Sequence, residues 1–206
     1  MGNRLLTFEG TSIDVAGAPV SNYTTYFSKV STTLQSPASN GATVATWQSR
    51  IATTKASLHA TDFNLFLIGG PANNFSNVGT QSAELAAYLS YVAEMRAYAD
   101  ANNLSLKIVA SALLPRSSAG SGPTINAYRP TFAASLKARL GLDIDAIVDF
   151  SLDSIIGPDA AGNDTTLFSD GLHPTALGRA HMTRLYAIVL DTFINVTNGT
   201  RRFRAA

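Results

Sequence analysis

Phe63-Asn64-Leu65-Phe66-Leu67-Ile68-Gly69-Gly70-Pro71 decides the fold. Apart from Asn64 its first six residues are apolar, without the polar alternation of a strand that keeps one face in water, and Gly69-Gly70-Pro71 ends the run. A short apolar run of this kind suits a strand covered on both faces, as in a parallel sheet. The chain repeats it. Leu5 to Glu9, closed by Gly10, is one more such run; Leu106 to Leu113, stopping at Pro115, and Ala146 to Phe150 are two others. Helical patterns lie between them. Tyr23, Tyr26, Phe27, Val30 and Leu34 share one face; Val44, Trp47, Ile51 and Leu58 share another; Leu85, Leu89, Val92 and Met95 stripe the segment from Thr80 to Asn102. A further helix, interrupted or started near Pro130, reaches Leu140, and a last one covers Thr175 to Val196. Four strands alternating with helices predict an α/β fold, a three-layer α/β/α sandwich around a central parallel sheet.

A chain of 206 residues suits one such domain. We assign residues 1–197 to it and 198–206, with Arg201, Arg202 and Arg204, to a solvated basic tail. Hydrophobic residues make up 46% of the chain and charged residues 14%, so Ser, Thr and Asn must wet much of the surface. The formal net charge of +1 gives no electrostatic case for nucleic acid. Zero cysteines exclude a disulfide framework, a thiolate metal site and a cysteine nucleophile. No apolar run approaches the ~20 residues of a membrane span. The first strand begins within a few residues of Met1, which leaves no room for a signal peptide in the chain as given. A soluble protein is expected, its compartment undetermined. The stretch from Ser117 to Pro123, rich in Ser and Gly, reads as a mobile surface loop.

In a sheet of this type ligands bind beyond the carboxyl ends of the strands. Phe8-Glu9-Gly10-Thr11-Ser12 places a hydroxyl there, in a small-residue turn. Near the other end, Ser169-Asp170-Gly171-Leu172-His173-Pro174 sets a carboxylate three residues before a histidine. Neutral imidazole can take a proton from a serine hydroxyl, and a carboxylate on its other N–H fixes the tautomer and stabilises the cation. Ser12 is the candidate nucleophile, His173 the base and Asp170 its orienting acid. Asp170 also suits the N-cap of the helix that follows. An oxyanion would need preorganised donors, for which the backbone N–H groups of Ser12 and Gly41 and the side chain of Asn73 are candidates, with Asn74 the second choice.

These residues resemble the SGNH or GDSL-type hydrolase family, whose signature blocks occur here in order and together span almost the whole chain. Gly10-Thr11-Ser12 is similar to the Gly-Asp-Ser of the first block, Asn40-Gly41-Ala42-Thr43 to the oxyanion-glycine loop of the second, and Pro71-Ala72-Asn73-Asn74 to the Gly-x-Asn-Asp of the third. Asp170, His173, Pro174 and Gly178 match the last. Thr11 and Asn74 stand where the family has aspartates. The resemblance implies a flavodoxin-like SGNH fold and a serine esterase working without a cofactor, acting on acetylated carbohydrate or another short-chain ester. The alternative is a carbohydrate-binding or structural module that keeps the fold without catalysis. His59 and His181 fall within helical patterns and read as packing or surface residues. Grouping Asp170, His173 and His181 as metal ligands lacks the spacing of helical zinc motifs, so no metal is expected. Trp47, Tyr88 and Tyr91 lie on core stripes and are read as packing.

Overall fold

The computed structural model of the chain describes residues 4–15, 32–35, 37–61, 63–193, 195–197 and 200–202. Strand β1 (Arg4–Glu9) runs into a short helix α1 (Ser12–Val15), and β2 (Thr32–Gln35) follows. Helices α2 (Val44–Ser49) and α3 (Ile51–Ala56) precede β3 (Phe63–Ile68). Then come α4 (Gln81–Ala101), β4 (Leu106–Ser111), α5 (Gly122–Lys137), β5 (Ala146–Val148) and α6 (Ala176–Asp191). The five strands form one parallel sheet in the order β2-β1-β3-β4-β5.

The run that opens the sequence is the middle strand. Successive side chains on a strand point to opposite faces, and here both faces are dry. Leu65 and Leu67, with Leu6 and Phe8 beside them on β1, pack under Met182, Tyr186 and Leu190 of α6. Phe66 and Ile68, with Ile108 and Ala110 on β4, pack against Trp47, Tyr88, Tyr91, Val92 and Met95 on the other face, where α5 adds Phe132 and Leu136. Each fully buried side chain of this size contributes roughly 1.5–3 kcal/mol, so β3 is held from both sides and the sandwich has the expected three layers. Asn64, the one polar residue of the run, is fully buried and saturated. Its amide donates to the carbonyls of His59 (2.9 Å) and Ser105 (3.0 Å), and its oxygen accepts from His59 N–H at 2.9 Å.

Several expectations are corrected. Leu34, placed on a helical face, lies in strand β2, which among the described residues is at the sheet edge and pairs with β1; Tyr23, Tyr26, Phe27 and Val30 lie outside the described residues. Pro130 neither starts nor ends a helix: α5 runs through it from Gly122. Pro130 itself is exposed, and burial of Ile125, Phe132 and Leu136 on either side outweighs the ~3 kcal/mol that an internal proline costs. The helix expected from Thr43 breaks at Arg50 (φ −114°) into α2 and α3. The stretch 117–123 is tied down, since Ser117 N–H donates to Gly171 at 2.9 Å and Ser118 N–H to the Asn163 side chain at 2.9 Å, and its end opens α5. The last helix stops at Asp191, and Asn195–Thr197 (β6) pairs antiparallel with Thr200–Arg202 (β7), so Arg201 and Arg202 belong to a strand and not to a tail. Among the described residues no helix is long and apolar enough to cross a membrane.

Candidate active site

Four segments meet at the carboxyl edge of β1 and β3. The first is the turn after β1, which delivers Ser12 as the opening residue of α1. Its Oγ lies 3.0 Å from His173 Nε2, across 161 positions of sequence. The second is the turn that carries His173. Asp170 Oδ2 is 2.7 Å from His173 Nδ1, while Oδ1 of the same carboxylate accepts the backbone N–H groups of Leu172 (3.0 Å) and His173 (2.7 Å). The His173 side chain and, with Leu172 beside it, the backbone thus hold Asp170 well below the usual carboxylate range, at about 2. An ionised carboxylate only accepts. Nδ1 therefore carries the proton and donates it, and Nε2 presents its lone pair to the Ser12 hydroxyl.

The turn is built so that Asp170 can do this. Phe168 and Pro174 bridge its two ends, and Ser169 N–H donates to the His173 carbonyl at 2.9 Å. Gly171 has φ +75°, a left-handed conformation that a side chain resists, and a Cβ there would lie 2.4 Å from Cβ of Ser117. Asp170 does not cap α6, as its sequence position allowed. That task falls to Thr175, whose Oγ1 accepts from Gly178 N–H at 3.3 Å and donates to the Thr166 carbonyl at 2.5 Å, leaving the Asp170 oxygens to the imidazole and its own turn. Arg116 lies behind. Burial lowers its guanidinium to about 10, against the pull of the Asp170 charge, so it remains a cation at neutral pH.

The third and fourth segments supply candidate oxyanion donors. Ser39 to Ala42 closes a turn through Ala42 N–H to the Ser39 carbonyl (3.2 Å), with Gly41 at φ +68° in the third position, where a type II turn requires a left-handed residue. Asn73, in the loop after β3, donates through Nδ2 to the Ala42 carbonyl at 3.1 Å, and an amide nitrogen has a second proton to give. Asn74 is engaged at both ends. Its Oδ1 accepts from Val44 N–H at 3.1 Å and its Nδ2 donates to Glu84, so it fastens the loop to α2 and α4. The Gly41 turn is hung on the Ser12 turn by Ser39 N–H to the Gly10 carbonyl at 3.3 Å. Thr11 is buried and its Oγ1 accepts from Ile13 N–H at 3.4 Å.

The remaining histidines do not join the site. His181 Nδ1 lies 3.2 Å from Asp153, so Asp170, His173 and His181 divide between two pairs instead of forming one ligand set. Sequence reasoning missed one group. Glu9, the last residue of β1, is completely buried next to the Ser12 turn, ion-paired with Arg50 and hydrogen-bonded by Tyr91 OH at 3.1 Å. Trp47 Nε1 donates to the Gly10 carbonyl at 3.3 Å, so Trp47 and Tyr91, buried in the core as expected, also hold polar contacts there. The available signal was a charged residue closing an otherwise apolar strand.

Among solved structures the chain is similar to a GDSL-like lipase of Bacteroides thetaiotaomicron (TM-score 0.63, 18% identity, 89% of this chain and 85% of that one covered). A lipase from a goat rumen metagenome superposes with a TM-score of 0.67 at 12% identity, covering 90% of this chain and 96% of the other. The fold is that of the GDSL-type hydrolases. An acetyl-xylooligosaccharide esterase of Geobacillus, in a mutant form, shares the GDSL-type fold with a TM-score of 0.61 at 14% identity over 90% of this chain and 92% of that one. No family model matches the chain, and no curated protein does. The flavodoxin-like strand order has its reversal at β1 and β3, the topological switch point of such sheets. That is where Ser12 and Asn73 are carried.

Proposed function

We propose that the protein is a serine esterase. The hydrogen-bonded series Ser12, His173, Asp170 carries this reading, because three residues from opposite ends of the chain meet with the proton acceptor facing the hydroxyl and the carboxylate behind it. In the reaction, His173 Nε2 takes the Ser12 proton as Oγ attacks the ester carbonyl carbon. The tetrahedral oxyanion is stabilised by N–H donors from Ser12, Gly41 and the Asn73 amide. Nε2 returns its proton to the departing alkoxide, which leaves as the alcohol, and an acyl group remains on Ser12. A water molecule, deprotonated by the same nitrogen, then attacks the acyl carbon; the bond to Ser12 Oγ breaks, Nε2 returns its proton to Oγ, and the acid leaves with the serine restored. Asp170 stays ionised throughout and stabilises the imidazolium at each proton transfer.

A small acyl group, such as acetate on a carbohydrate or another short-chain alcohol, is the proposed substrate class. Two features support it: the base stands on an exposed turn with 38% of its side chain accessible, and a structural neighbour is named as an acetyl-xylooligosaccharide esterase. The test is hydrolysis of 4-nitrophenyl acetate by the wild type and by Ser12→Ala and His173→Ala. Each substitution is expected to lower kcat by about 10⁴-fold or more. Full activity in either folded variant would overturn the mechanism, and an inactive wild type would favour a binding module.

A further inference from the structure

We infer that Glu9 and Arg50 are positioning residues for the proposed esterase reaction, clamping the nucleophile turn to the turn that presents Gly41. They can hold this role only if Ser12 is the nucleophile. The clamp begins with the helix break. Because the chain leaves helical geometry at Arg50, between α2 and α3, one guanidinium reaches two partners on different segments. Nη2 pairs with Glu9 Oε1, and Nη1 donates to Ser39 Oγ at 3.0 Å. Glu9 stands three residues before Ser12, and Ser39 two residues before Gly41. A planar fork with fixed spacing between its nitrogens therefore sets the separation of the two segments.

Further bonds around the clamp restrain the same two turns and the loop after β3. Tyr91 OH donates to the second Glu9 oxygen at 3.1 Å and fixes the plane of the carboxylate. The Gly10 carbonyl accepts both Ser39 N–H and Trp47 Nε1, each at 3.3 Å. The Glu9 carbonyl takes Gly69 N–H at 2.8 Å, which adds the loop leading to Asn73. Burial pushes the Glu9 carboxyl upward while Arg50 and Tyr91 oppose it, and burial keeps the Tyr91 phenol protonated as a donor. None of these groups touches the reacting atoms. Their role is to keep the Gly41 donor where the oxyanion forms, an interaction made in the transition state and not in the bound ester. Loss of the clamp should lower kcat and leave KM in place.

Arg50→Lys keeps the charge and removes the fork; Ser39→Ala removes one arm and leaves the ion pair whole. With 4-nitrophenyl acetate, Arg50→Lys is expected to lose roughly 10²-fold in kcat, the usual cost of a misplaced catalytic group. Ser39→Ala is expected to lose about a tenth as much, with KM within about twofold in both. Phenylboronic acid, which forms a tetrahedral adduct on an activated serine, supplies the second readout. Its inhibition constant should rise in parallel with the fall in kcat. Unchanged kcat and boronate affinity in folded Arg50→Lys, or a rise in KM alone, would overturn the inference. Should Arg50→Lys fail to fold, Ser39→Ala decides alone on the same readouts. Failure of the esterase reading looks different, because the wild type itself would then neither hydrolyse the acetate nor bind the boronate.

Discussion

The two sides of the candidate site are built in opposite ways. Asp170 and His173 sit on an exposed turn, and the hydrogen bonds of the Asp170 carboxylate end on Leu172 and His173, so the geometry of the pair is written into one short stretch. Ser12 and Gly41 are held from beneath by buried Glu9, Tyr91 and Trp47 and half-buried Arg50, drawn from β1, α4, α2 and the α2–α3 break. One side needs local chemistry and the other needs the whole sandwich. The first should therefore respond to substitution through chemistry with the fold intact, and the second through positioning.

The largest effect that separates them belongs to Asp170→Asn. The amide keeps an oxygen for the turn but can stabilise neither the tautomer nor the imidazolium, and a loss of about 10⁴-fold in kcat is expected with the fold retained and only a small fall in melting temperature. A pH profile refines the point. Asp170 is depressed to about 2, so its contribution to stability is complete above the unfolded carboxylate range and is lost only as pH falls toward that value. The wild-type kcat/KM should rise with pH along a single limb, that of the base losing its proton, with no second acid limb between about pH 4 and neutrality. A second limb there would mean that Asp170 titrates with the base and that the turn is looser than its bonds imply.

A smaller effect tests the seam between the turn and the rest of the fold. Gly171→Ala introduces a side chain at positive φ, with its Cβ 2.4 Å from Ser117 Cβ. Loss of about 1–3 kcal/mol in denaturant unfolding is expected, from strain at that residue. A neutral substitution would show that the turn can shift away from the 117–122 segment without cost.

The same contrast explains what could be read from sequence. β1, β3 and β4 announce themselves as apolar runs because both of their faces are covered. Among the described residues β5 and β2 are the edges of the sheet. β5 is only partly buried and is legible through its Ala-Ile-Val composition. β2, Thr-Thr-Leu-Gln, carries no such signal in its polar composition. α5 was misjudged at Pro130 because the rule against internal proline is local, while the burial that overrides it is tertiary. Ser12, Asp170 and His173 are legible as residue types in small turns; that Asn74 ties its loop to Val44 and Glu84 while Asn73 donates to the Ala42 carbonyl is a matter of tertiary contact that the sequence does not carry. Glu9 was not legible. Its partners lie 41 and 82 positions away, and nothing near it in sequence signals an ion pair.

The central claim is that His173, oriented by Asp170, activates Ser12. The most direct measurement is treatment of the wild type with a fluorophosphonate at neutral pH, followed by peptide mass spectrometry, with Ser12→Ala and His173→Ala alongside. The expected result is one adduct, on Ser12, that disappears in Ser12→Ala and forms far more slowly in His173→Ala. No adduct on the wild type, or labelling of Ser12 at the same rate without His173, would contradict it.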